Sequence, residues 1–168
     1  MRIVTPDYVF ADVTHITPAL LQAKGVRALV LDVDNTLTGD RSQTLPAEVA
    51  AWLAELRAAG VQLTIVSNGS ARRVSPFAER VGLAWVSRAA KPLGIGLAAA
   101  RRRLGVRRRE MAMVGDQLFT DRMAAALYGI PAFMVVPRGP DLGAHVRFKR
   151  RLEQRFWKKY YDRGGKTL

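Results

Sequence analysis

Cysteine is absent from the 168 residues, which excludes disulfides and thiolate metal ligands and fits a reducing compartment. Long apolar runs are absent too, since none approaches the ~18 residues needed to span a bilayer. The opening segment, MRIVTPDYVFADVTHITP, carries Asp7 and Asp12 where a signal peptide needs unbroken apolar character. A soluble, cytoplasmic chain, at most lying on the inner face of a membrane, is expected. Acidic residues are scarce: 14 Asp and Glu stand against 27 Lys and Arg, a formal net charge of +13. Such an excess attracts polyanions, either nucleic acid or anionic lipid. Internal repeats, low-complexity segments and linkers are missing as well. What is present, 49% hydrophobic residues, suffices for one globular domain with a real core.

Short apolar runs alternate with helical stretches, the pattern of βα units and a parallel sheet. Thr17-Pro18 reads as the N-cap and first residue of a helix that Gly25 ends. RALVLDVD is the first central strand, and LPAEVAAWLAELRAAG a helix opening near Pro46 and stopping at Gly60. VQLTIVSN is a second strand, followed by SARRVSPFAERVG, a helix expected to break or shift at Pro76. LAWVS gives a short third strand, PLGIGLAAARRRLG a helix, EMAMVGD a fourth strand, TDRMAAALYG a helix and IPAFMVV the last strand. The N-terminal PDYVFADVTHITPALL is expected to pack along the domain, without assigned chemistry. Composition shifts only after Pro137, separating a domain at 1–137 from a basic, aromatic tail at 138–168.

Asp32, Asp34, Ser67, Asn68, Gly115 and Asp116 fall at or just beyond the C-terminal ends of these strands, the edge where open α/β sheets bind ligands. Asn68 or Asp121 alone would read as a cap or turn residue; the recurrence at several strand ends weakens that reading. In Asp32-Val33-Asp34 the two carboxylates share one face of an extended strand. Two like charges so close repel and raise one pKa, unless a divalent cation lies between them. Oxygen ligands alone suit magnesium, and Asp116 can close such a site from a neighbouring strand. Lys91, in AAKPLG, and the donors around Ser67 offer positive clamps. Nucleophile, acid/base, metal and clamps are the parts of phosphoryl transfer.

DVDNT at 32–36, SN at 67–68, KP at 91–92 and GDQLFTD at 115–121 resemble, in order, the motifs of the haloacid dehalogenase (HAD) superfamily phosphatases. The resemblance is to subfamily IIIA and its YqeG-type group, which includes phosphatidylglycerophosphate phosphatases. Gly69 departs from it, standing where relatives often carry a second asparagine. The resemblance implies a three-layer α/β Rossmannoid fold with strands in the order third, second, first, fourth, fifth. It implies that Asp32 is a nucleophile forming an aspartyl-phosphate, and that Asp34 is the acid and then the base. Mg2+ would be held by Asp32, Asp116 and the backbone carbonyl of Asp34. Ser67, Asn68 and Lys91 would bind the phosphoryl group, with Thr36 and Asp121 in support.

Between Asp34 and Ser67, and again between Asn68 and Lys91, there is no room for a cap domain. An open site fits a substrate whose bulk stays outside, such as a lipid head group or a nucleic-acid end; closure by an oligomeric neighbour is the alternative. The tail HVRFKRRLEQRFWKKYY repeats Phe148, Leu152, Phe156 and Tyr160 every four residues, with Arg147, Arg151, Arg155 and Lys158 opposite. That pattern over 146–160 serves an interfacial helix on an anionic membrane and a helix docked on its own core equally well. The six arginines between 101 and 109 read mainly as a solvated face, and the lone His15 and His145 as packing or surface residues. The expected substrate is phosphatidylglycerophosphate or a similar anionic lipid phosphate. Two alternatives stand beside it: a nucleic-acid-end phosphatase, and a non-catalytic protein of this fold bound to ribosomal RNA.

Overall fold

The computed structural model describes residues 2–168. Its centre is one sheet of parallel strands: β1 (Tyr8–Phe10), β2 (Ala28–Leu31), β3 (Gln62–Val66), β4 (Ala84–Val86), β5 (Met111–Gly115) and β6 (Ala132–Val135). They lie in the order β1-β6-β5-β2-β3-β4, so the five strands legible in the sequence stand in the expected arrangement. The register pairs Leu31 with Ile65 on one side and with Val114 on the other. Asp32, Ser67 and Asp116 therefore leave three adjacent strands at one edge.

Alternation along β2 builds both layers. Leu29 and Leu31 join a core with Trp52, Leu53 and Phe77, whereas Ala28 and Val30 join another with Leu97, Met113 and Ala124. Strand side chains alternate between the two faces, and a parallel sheet covered on both is apolar throughout. The helices α1 (Pro18–Ala23), α2 (Ala47–Ala58) and α3 (Ala71–Val81) cover the first face; α4 (Ile95–Leu104), α5 (Met123–Tyr128) and α6 (Ala144–Asp162) cover the second. Thr17 caps α1, its side chain accepting from Leu20 N at 3.2 Å.

Three elements differ from expectation. The N-terminal segment contributes β1, whose Tyr8 and Phe10 meet Phe133 edge-on at 5.4 and 5.7 Å. Three residues are too few to show a period of two. The chain end protects this edge strand: Leu168 N donates to Val9 O and Ala11 N to Leu168 O, each at 2.8 Å. Helix α3 runs through Pro76 without interruption; the ring forfeits one bond to the Arg72 carbonyl, at an exposed position. The helix expected from TDRMAAALYG opens as a π-type turn, Leu118–Arg122, before α5. No helix among the described residues is long and apolar enough to cross a membrane.

Candidate active site

The chain leaves β2 at Asp32 and turns back at once. The amides of Thr36, Leu37 and Thr38 all point to the Val33 carbonyl, and Asn35 takes a left-handed φ of 57°, which asparagine tolerates better than most residues. Asp32 is buried by this turn. Asp34 stays half-exposed at the rim, where its Oδ1 accepts from Arg41 N at 2.8 Å and from the Arg73 guanidinium of α3.

Lys91 is buried between two carboxylates, with Nζ 2.8 Å from Asp32 Oδ1 and 2.6 Å from Asp121 Oδ1. Asn68 fixes the backbone there: its Nδ2 donates to Lys91 O at 2.9 Å and its Oδ1 accepts from Lys91 N at 2.8 Å. Ser67 Oγ accepts from Gly69 N at 3.1 Å and keeps its own proton to donate. Gly69 suits this turn, because a side-chain carbon there would press on Val74 and Ser67 at 3.2 and 3.3 Å. On β5, Gly115 lets Asp121 fold against the strand, since any Cβ at that position would overlap the Asp121 carboxylate. Thr36 Oγ1 donates to Asp116 Oδ1 at 3.2 Å.

Oxygens of Asp32, Asp116 and Asp121 all come within 4.8 Å of one another, and all three residues are buried. Burial pushes Asp32 up to about 7, against the pull of Lys91, and pushes Asp116 up to about 8, against the pull of Arg150. Burial would lower Lys91, but Asp121 and Asp32 together raise it above the ordinary lysine value. Three carboxylates facing two cations, Lys91 and Arg150, leave negative charge uncompensated. An all-oxygen donor set with surplus negative charge fits a hard divalent cation. The carboxylate group contains Asp121; the Asp34 side chain turns instead toward Arg73 and Arg41.

The tail brings the residues that the motifs do not show. Arg150 of α6 donates through Nη1 to Asp116 O at 2.6 Å, through Nη2 to Asp116 Oδ2, and through Nε to Asp141 Oδ2 at 3.0 Å. Asp141 also accepts from Asn35 Nδ2 at 2.8 Å. Glu153, one turn further, is fully buried and its Oε1 accepts from Phe119 N at 2.9 Å, inside the loop that carries Asp116 and Asp121. Below it Phe156, Trp157 and Tyr160 pack on the core while Phe148 and Leu152 remain exposed. Half of the expected apolar stripe thus docks on the protein itself. The available signal was Glu153, which with Asp162 supplies all the acid of an otherwise basic helix. Together these elements enclose a cleft of about 410 Å³ lined by Asp32, Asp34, Ser67, Lys91, His145 and Lys149, among others. The structure therefore brings Asp32, Asp34, Ser67, Asn68, Lys91, Asp116 and Asp121 to one sheet edge, with Thr36 behind them.

The profile of the haloacid dehalogenase-like hydrolases matches residues 39–129. The "Probable phosphatase YqeG" of Bacillus subtilis (strain 168) is 34% identical over 151 residues, covering 89% of this chain and 87% of that protein. Among solved structures, a HAD family hydrolase from Deinococcus radiodurans R1, with bound phosphate and sodium, superposes with a TM-score of 0.58 at 15% identity, over 76% of this chain and 88% of its own. A 4-nitrophenylphosphatase from Thermotoga maritima gives 0.54 at 13% identity, over 71% and 89%.

Proposed function

We propose, from the premise that this chain belongs to the haloacid dehalogenase-like hydrolases and is a phosphatase, that it hydrolyses phosphomonoesters through a phosphorylated Asp32 with Mg2+ as cofactor. The observation that carries this reading is the buried cluster of Asp32, Asp116 and Asp121 around Lys91. Asp32 is the nucleophile: Lys91 fixes its Oδ1, and the strand end presents the carboxylate to the cleft. Lys91 and the free Ser67 proton then meet the charge on the transferred oxygens. Asn68 acts through Lys91, holding its backbone in place.

Asp34 protonates the leaving oxygen and afterwards draws the proton from the water that cleaves the acyl phosphate. Arg73 and Arg41 hold its Oδ1, which leaves Oδ2 for that proton. Asp32, Asp116 and the Asp34 carbonyl would hold the cation, with Asp121 and Thr36 in support; a bound Mg2+ would supply charge neutralisation for the phosphoryl group.

The substrate class we favour is an anionic lipid phosphate such as phosphatidylglycerophosphate. Supporting it, one loop, α2 and β3 fill the chain from Asp34 to Ser67, and α3 and β4 fill it from Asn68 to Lys91, so nothing caps the cleft. The exposed Phe148 and Leu152, flanked by Arg147, Arg151 and Arg155, suit peripheral contact with an anionic bilayer. Phosphate release from phosphatidylglycerophosphate in mixed micelles, with Mg2+ and against 4-nitrophenyl phosphate, tests the reading. Faster turnover of the lipid is expected. Hydrolysis of 4-nitrophenyl phosphate alone would remove the lipid assignment and leave the phosphatase.

A further inference from the structure

The charges lining the cleft do not balance. Each carboxylate there has a partner: Asp32 has Lys91, Asp34 has Arg73 and the Arg41 amide, Asp40 has Leu142 N, and Asp141 has Arg150 and Asn35. Two cations have none. Arg41 and Lys149 line the cleft, and neither side chain makes a hydrogen bond or ion pair among the described residues. Lys149 is half-buried on the cleft wall, and its place is set by its neighbours. Arg150 is tied to Asp116 and Asp141, and Glu153 to Phe119 N, which locks the rotation of α6. His145 precedes Lys149 by one turn and lines the same cleft. The transferred phosphoryl group already has Lys91 and Ser67, and a cleft of about 410 Å³ exceeds what that group fills.

We propose that Arg41 and Lys149, with His145 beside them, form a subsite for a second anionic group on the substrate, a phosphodiester or a carboxylate linked to the phosphomonoester. This rests on the phosphatase reading and extends it. Helix α6 then takes the selecting role that an inserted cap would otherwise have, by lending one wall and its cation to an otherwise open site. A positioned ammonium or guanidinium facing an anion makes the stronger kind of hydrogen bond, and a substrate lacking that anion leaves both cations in water.

The test compares kcat/KM, with Mg2+, for three soluble compounds: glycerol phosphate, phosphoglycerate, and a glycerol phosphate bearing a glycerophosphodiester. The wild-type protein should favour one of the two-anion compounds over glycerol phosphate by about tenfold or more, and which one it favours distinguishes phosphodiester from carboxylate. Lys149→Met keeps the apolar stem and removes the charge, and Arg41→Gln removes the charge at the other residue. Each should narrow the preference several-fold, mainly through KM. Circular dichroism and melting establish that both variants fold; should one not, the other and the wild-type ratio still decide. An equal rate on all three compounds, or a preference unchanged in both variants, overturns the subsite while leaving the phosphatase. Failure to hydrolyse any of the three and 4-nitrophenyl phosphate overturns the phosphatase reading and the subsite with it.

Discussion

Replacing Arg150 by glutamine should destabilise the protein in a way that magnesium largely repairs. The guanidinium faces Asp116, which is fully buried, through its backbone carbonyl at 2.6 Å and its side chain, and reaches Asp141 at 3.0 Å. Removing one member of a buried pair costs about 3–5 kcal/mol, because the other is left buried without its partner. Arg150 keeps 16% of its side chain in contact with solvent, and Thr36 still donates to Asp116, so about 2–3 kcal/mol is the expected loss. In a chain of this size that lowers Tm by about 4–12 °C. Those figures apply in EDTA. A divalent cation held by Asp116 supplies the missing positive charge, and at about a hundredfold over its Kd it returns about 2.7 kcal/mol. The variant, relieved of a competing cation, should also take up magnesium more tightly than the wild type. Scanning calorimetry with and without the metal, with titration calorimetry for affinity, reads both quantities. An equal loss of Tm in EDTA and in magnesium, with no gain in affinity, would show that Arg150 only pins α6 and does not neutralise the metal site.

Other outcomes follow from the same geometry. Asp32→Asn should reduce turnover by several orders of magnitude in a protein that melts normally, because the proposed nucleophile is lost at almost constant volume; phosphate-release kinetics on the folded variant decide it. Glu153→Ala leaves Phe119 N without its acceptor and should cost about 1–3 kcal/mol, read by urea denaturation, with a rise in KM for Mg2+ as the loop holding Asp116 and Asp121 loosens. Burial raises Asp32 to about 7 and Asp116 to about 8. Groups raised above their unfolded values give stability that is complete below the unfolded carboxylate range, near 3.9, and lost as pH climbs through the folded values. The metal-free protein should therefore lose Tm progressively from about pH 4 to about pH 8, the span between the unfolded carboxylate value and the raised values of about 7 and 8, and magnesium should stabilise it more at the upper end; a Tm in EDTA flat across that window would refute the raised values.

The β2 sequence shows why most of the fold was legible. Its residues are apolar without interruption, as expected of a strand covered on both faces, and punctuation by Gly60, Gly82, Gly105 and Gly129 separates helices from strands in every unit. All four take φ between 64° and 80°, the left-handed turn that ends a helix. The N-terminal strand escaped because three residues, Tyr8 to Phe10, carry no period; their pairing depends on Phe133 and on a chain end more than a hundred residues away. Pro76 misled in the other direction, since a single forfeited bond at an exposed turn is outweighed by Val74, Phe77 and Val81 packing beneath it.

The same distinction divides the site. Residues that bond through the strand ends announce themselves, because a carboxylate straight after a buried strand has no other business there: Asp32, Asp34 and Asp116 are of this kind. Arg150 and Glu153 lie on a helix whose charge suggests solvent, and only the docking of Phe156, Trp157 and Tyr160 turns them inward. A stripe of four-residue spacing located an apolar arc on α6, but rotation about the helix axis is decided by what each neighbour can bury. Glu153 finds an unpaired backbone amide at Phe119 and Arg150 finds Asp116, so the helix settles with these two charged groups facing the site and Phe148 facing water. A capless hydrolase that must hold one wall of its cleft without an inserted domain can do so with this helix. The side chains that hold it there touch the loop carrying Asp116 and Asp121, so the wall and the carboxylates proposed to bind the metal are joined by direct contacts.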